Sequence, residues 1–146
     1  MVAARPRLGF LGVGWIGRHR LDAVAESGVA EVAAVADPAL PEALDSLEEL
    51  LERDLDGIVI ATPSALHAEQ ASTALQAGLA VFCQKPLARS AAEATRVVDA
   101  ARAADRLLAV DLSYRYTRAA QALRGAVAEL GVVDAAELVF HNAYGP

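Results

Sequence analysis

The stretch Leu8-Gly9-Phe10-Leu11-Gly12-Val13-Gly14-Trp15-Ile16-Gly17 constrains the fold of this chain more than any other. An apolar run passes directly into G-x-G-x-x-G, and a helical pattern starts at Trp15. Strand, glycine turn and helix in that order open a dinucleotide-binding unit. Gly12 permits the tight turn and Gly14 lets backbone approach a pyrophosphate. Gly17 lets the helix lie close to the strand, so that its N-terminus faces the phosphate charge. Trp15 and Ile16, within the same loop, are further cofactor-binding candidates. Glycine-rich turns are common, so the pattern takes its weight from a second element. Val29 to Ala36 reads as a buried strand ending at Asp37, twenty residues beyond Gly17. A carboxylate there can accept hydrogen bonds from the adenosine ribose hydroxyls.

Strand and helix patterns alternate along the rest of the chain. Nearly continuous apolar runs occur at Leu8–Leu11, Val32–Ala36, Gly57–Ala61, Leu79–Cys83 and Leu107–Val110. Helical segments lie at Trp15–Glu26, Ser46–Arg53, Ala65–Ala77, Ala91–Ala104 and Thr117–Leu130. Strands apolar on both faces, separated by helices, predict an α/β fold: a Rossmann-type doubly wound parallel sheet over residues 1–131. Ser90 followed by Glu93 predicts a capping box. Val132–Phe140 reads as one more strand, the first of a second, α+β substrate domain that occupies 132–146 and is cut short there. Its uncovered edge predicts self-association into a homo-oligomer.

Composition excludes several classes. The chain is 55% hydrophobic with a mean hydropathy of +0.31, much of it from alanine. No apolar run approaches the roughly 18–20 residues of a spanning helix. No secretory pattern precedes Arg7 and there is one cysteine, which favours a cytoplasmic location. A net charge of −6 without a Lys/Arg cluster argues against a nucleic-acid partner. His19, His67, His141 and Cys83 have no ligand spacing, so no metal site is expected. Cys83, inside the fourth strand, reads as a core residue.

Lys85 stands apart from the other charges. It is the only lysine among 13 basic residues, placed where the fourth strand ends. That edge of an open α/β sheet lines the ligand crevice, and an ammonium differs there from a guanidinium in size and adjustable pKa.

Four motifs together resemble the glucose–fructose oxidoreductase, inositol dehydrogenase and rhizopine-catabolism (Gfo/Idh/MocA) family of NAD(P)-dependent oxidoreductases. They are the glycine turn, Ala61-Thr62-Pro63-Ser64-Ala65-Leu66-His67, Cys83-Gln84-Lys85-Pro86-Leu87 and Tyr114-Arg115-Tyr116. The resemblance implies hydride transfer between a secondary alcohol of a sugar, inositol or related polyol and a nicotinamide cofactor. It implies that Lys85 hydrogen-bonds the alcohol oxygen and steadies the developing alkoxide. It further implies that Thr62 and Pro63 shape the cofactor wall, that His67 lies near the nicotinamide end, and that Gln84 and Arg115 contact the cofactor. The family's principal acid–base partners, a His often with an Asp, belong to a C-terminal substrate domain.

Three departures from the family pattern stand out. Gln84 replaces a glutamate, keeping an acceptor but losing the charge. The connection from Asp37 to Ser46 is too short for the family's additional helix and small strand. Beyond its first strand the substrate domain is expected to be missing, so the chain alone is expected to bind NAD without turnover. Asp37 would repel a 2′-phosphate, and Pro38–Glu42 offers no base, so NAD is favoured over NADP. The alternative is a truncated NAD-binding module, or a cofactor-sensing regulator, that turns nothing over.

Overall fold

The computed structural model describes residues 4–137 and 139. Five strands, β1 (Arg7–Leu11), β2 (Glu31–Ala36), β3 (Gly57–Ile60), β4 (Ala80–Cys83) and β5 (Leu108–Val110), form one sheet in the order β2-β1-β3-β4-β5. Every neighbouring pair is parallel. Helices α1 (Trp15–Ser27), α2 (Leu47–Leu51), α3 (His67–Gln76) and α4 (Ala91–Ala104) supply the crossovers, so the expected doubly wound sheet is what the chain forms. Two compact units are distinguished, Met1–Leu112 and Ser113–Pro146; the sheet belongs wholly to the first.

The core follows from strands that are apolar on both faces. On one face Leu11, Ile58, Ile60, Val81 and Cys83 meet Leu47 and Leu50 of α2, Ala71, Ala74 and Leu75 of α3, and Val97 and Ala101 of α4. Small alanines on α3 and α4 let these helices pack against each other and the sheet. On the other face Phe10 and Val59 are buried with Val13, against Leu21 and Val24 of α1. Val32, Val35 and Phe82 on that face are only partly buried.

The short connection after β2 has the consequence expected of it. No helix lies between Asp37 and Ser46, and the small additional strand shrinks to a single parallel bridge, Ala36 to Leu44. Leu40 and Leu44 partly cover β2, beside an open groove of about 560 Å³.

Capping differs from expectation in one detail. Ser90 Oγ accepts from Glu93 N at 3.2 Å, but the Glu93 carboxylate accepts from the backbone N–H and guanidinium of Arg89. The preceding arginine offers a charge-assisted bond that the N-cap N–H cannot match. The Arg89 pair accordingly draws the Glu93 carboxyl below its ordinary range. Helix α3 starts at His67 rather than Ala65, because Pro63 to Leu66 closes a turn of its own.

The second unit carries a 3-10 turn (Ser113–Tyr116) and α5 (Arg118–Leu130), capped by Thr117 Oγ1 accepting from Ala120 N. The expected strand at Val132–Phe140 is corrected: residues 132–137 and 139 are not in a strand. Val132, Val133 and Val139 are exposed, and the apolar run has no ladder partner among the described residues to hold it extended. Leu138, Phe140 and the tail His141–Pro146 lie outside the described residues.

Glycine 17 sets the spacing of α1 on the sheet. A Cβ there would sit 2.1 Å from the carbonyl oxygen of Gly12, which is backbone and cannot yield. Gly17→Ala should therefore cost about 1–3 kcal/mol or more by overpacking, measured by urea unfolding. Gly125→Ala in α5, where a Cβ meets nothing within 4 Å, should instead gain about 0.5–1 kcal/mol.

Candidate functional site

The C-terminal ends of β1, β2 and β3 open into a cleft of about 750 Å³, bordered by Gly12, Gly14, Asp37, Thr62 and Pro63. The glycine loop is its floor. Gly12 adopts φ +82 and a Cβ on it would strike the backbone of Ala61 and Thr62 at 2.9 Å, so only glycine fits. Its N–H bonds Ala36 O at 2.8 Å, tying the loop to the end of β2. A Cβ on Gly14, by contrast, would meet no atom within 4 Å; protein leaves that side of the loop open. Gly14 is the N-cap of α1, with no side-chain cap and no acid in the first turn. The helix N-terminus therefore presents unshielded partial positive charge to the cleft.

Asp37 stands at the end of β2 with both carboxylate oxygens anchored. Oδ2 accepts from Val13 N at 2.8 Å and Oδ1 from Ala39 N at 2.9 Å. Each oxygen keeps a further lone pair. These features fit a dinucleotide: a floor without side chains for the diphosphate, a helix N-terminus, and an oriented carboxylate for ribose hydroxyls.

The remaining predicted residues divide. Trp15 is 70% exposed and packs edge-on against His19, while Ile16 is half-buried. Thr62 donates through Oγ1 to Gln70 Oε1 at 2.5 Å, and Pro63 is exposed at the cleft wall. Lys85 follows β4, is exposed, and pairs with no acid among the described residues. Arg115 lies exposed in the 3-10 turn of the second unit.

His67 is 1% exposed. Its Nδ1 lies 2.7 Å from Pro86 O and its Nε2 2.8 Å from Thr62 O. Both acceptors are carbonyls, so the ring satisfies both only when both nitrogens carry a proton. The side chain clamps the Thr-Pro loop after β3 to the Lys-Pro loop after β4. Neither nitrogen is left to meet a ligand.

Gln84 is buried too, and its Nε2 donates to Asp111 Oδ2. The same oxygen accepts from Arg20 Nε at 2.5 Å. Asp111 and Arg20 were not singled out from the sequence. The signal for Asp111 was present: it follows an apolar strand directly, as Asp37 follows β2. Cys83 is buried, and burial pushes its thiol up to about 12, consistent with a core residue.

Among the described residues no helix is long and apolar enough to cross a membrane. With this geometry in place, the chain can be assigned to the oxidoreductases with an NAD-binding Rossmann fold. The model of that family (Gfo/Idh/MocA) matches residues 6–112, and the chain belongs to it. It is 39% identical over 108 residues to the 1,5-anhydro-D-fructose reductase of Ensifer adhaerens, which covers 72% of this chain and 32% of that one. It is 38% identical over 118 residues to the D-xylose 1-dehydrogenase (NADP(+)) 2 of Haloferax volcanii, covering 79% and 36%. The chain thus spans about a third of the length of these relatives. The solved WlbA dehydrogenase of Bordetella pertussis, in complex with NADH and UDP-GlcNAcA, superposes with a TM-score of 0.79 at 28% identity. That match covers 88% of this chain and 42% of that one.

The His67 clamp is testable by itself. His67→Ala removes the buried ring that bridges the Thr62 and Pro86 carbonyls and should lower stability by about 1–3 kcal/mol, read from the midpoint of chemical denaturation.

Proposed function

We propose that this chain binds NAD in the cleft, in preference to NADP, and presents Lys85 to the secondary alcohol of a sugar or polyol. The observation that carries this reading is Asp37, whose two oxygens are pre-oriented by Val13 N and Ala39 N beside the glycine loop. Hydroxyls at the 2′ and 3′ positions can donate to such a carboxylate, whereas a 2′-phosphate would meet a like charge. The cleft border adds Asp45, Glu48 and Glu69 and no base. One relative is named for NADP(+) and one solved neighbour holds NADH, so the preference rests on these acids. When bound, the cofactor supplies the hydride acceptor. Lys85 would donate to the alcohol oxygen and stabilise the negative charge that grows on it as the hydride leaves.

The polar groups at the strand ends bear on proton removal. Asp37 is held by backbone, His67 by two carbonyls, and Asp111 by Arg20 and Gln84. Lys85, as an ammonium, cannot accept the hydroxyl proton. Charge stabilisation without a positioned proton acceptor forgoes about 10²–10⁴ in rate. The described residues thus support cofactor binding with little or no turnover of their own.

Calorimetric titration of the 146-residue chain should give tighter binding of NAD than of NADP. Asp37→Ala should weaken NAD binding by about 1–3 kcal/mol. Gly14→Val should abolish it with the circular dichroism spectrum intact; equal NADP affinity would refute the preference. Absorbance at 340 nm across a panel of inositols and sugars should show no NADH produced by the chain alone. Robust turnover would show that a proton acceptor is present within it.

A further inference from the structure

We infer that Asp111 is a positioning residue for the second nucleoside of the dinucleotide: anchored by Arg20, it holds the Gln84 carboxamide with its oxygen free to accept. The inference rests on the cofactor reading of the cleft. Asp111 follows β5 as Gln84 follows β4, and Asp111 N bonds Cys83 O at 2.8 Å, which sets the two strand ends side by side. The Asp111 side chain is 5% exposed, and its Oδ2 accepts from Arg20 Nε and Gln84 Nε2 together. A carboxylate only accepts, so the amide must turn its NH₂ toward it; chemistry decides the orientation of Gln84. Gln84 Oε1 then has no partner among the described residues, and it is not sealed from solvent. An oriented, unused acceptor stands next to the exposed ammonium of Lys85.

The order of the strands says what that acceptor meets. Asp37 ends the edge strand β2, and the glycine loop ends β1. A dinucleotide with its first ribose at Asp37 and its diphosphate at the loop extends past β3 toward β4. Its second ribose reaches the end of β4, where its hydroxyls can donate to Gln84 Oε1. The pair also accounts for the amide at position 84. A glutamate there would set a second carboxylate against Asp111, whose cationic partner among the described residues is Arg20, and like charges at that separation disfavour each other. Gln84 and Asp111 are matched: the charge sits on β5 and the amide on β4.

The test is titration of NAD⁺ and ADP into the full chain and into Asp111→Asn, Gln84→Glu and the double variant, with thermal melting alongside. ADP lacks the second nucleoside, so a residue acting only on the fold should move both ligands together. Asp111→Asn is expected to weaken NAD⁺ about tenfold and leave ADP within about twofold. Gln84→Glu is expected to lower the melting temperature. Gln84→Glu combined with Asp111→Asn should restore the melting temperature and NAD⁺ affinity, since carboxylate and amide have merely exchanged strands. If Gln84→Glu fails to fold, recovery of a folded double variant supports the pairing equally. Parallel loss of NAD⁺ and ADP in Asp111→Asn, loss of neither, or a double variant no better than Gln84→Glu would each overturn the inference and leave the cofactor reading standing. An unmodified chain that binds neither ligand would overturn both.

Discussion

The contact between Gly17 and the carbonyl of Gly12 is the constraint on which the rest of the site depends. With no side chain at either position, the first turn of α1 closes directly onto the turn that leaves β1. Gly12 in turn presses on the backbone after β3 and bonds the end of β2. Three strand ends and one helix start are therefore held within a few ångströms by backbone alone. A single methyl group at either glycine would separate them. The cleft, the exposed N-terminus of α1 and the Val13 N–H that orients Asp37 all follow from that approach.

Around this backbone frame, polar groups at the strand ends are held in place before any ligand arrives. Asp37 is oriented by two N–H groups, His67 spans two carbonyls, and Asp111 is shared by a guanidinium and an amide. Each group is buried or half-buried, where leaving it unpaired would cost about 1–3 kcal/mol, so the pairing is enforced by folding itself. Beside these groups, the Lys85 ammonium, Gln84 Oε1 and the spare lone pairs of Asp37 have no partner among the described residues. Such preorganisation allows ligand contacts to form without rearrangement of the groups that make them.

The largest difference from sequence-based expectation lies after α5, and its origin also bears on His67. An apolar run such as Val132–Phe140 reads as a strand, yet strand formation needs a neighbour, and periodicity says nothing about whether one exists. His67 was legible as the polar residue of its motif, but its partners were not: the ring lies between the loops after β3 and β4, against Thr62 O and Pro86 O. In both cases the sequence carries the apolar run or the motif, and the missing information is what stands opposite.

The sequence by itself determined the alternation of strand and helix, the glycine loop, the acid ending β2 and the solitary lysine ending β4. Each rests on local physics: side-chain periodicity, backbone freedom at Gly12, and the chemistry of a residue at a strand terminus. Tertiary structure alone decided the partners of those residues. Arg20 meets Asp111 across 91 positions and Gln84 meets it across 27, because parallel strands bring distant termini to one edge. The single bridge that remains, Ala36 to Leu44, was decided in the same way, by how β2 meets the short segment after it. Hydrogen-bond partners between strand ends depend on strand order and spacing, which are properties of the packed sheet and of no single segment.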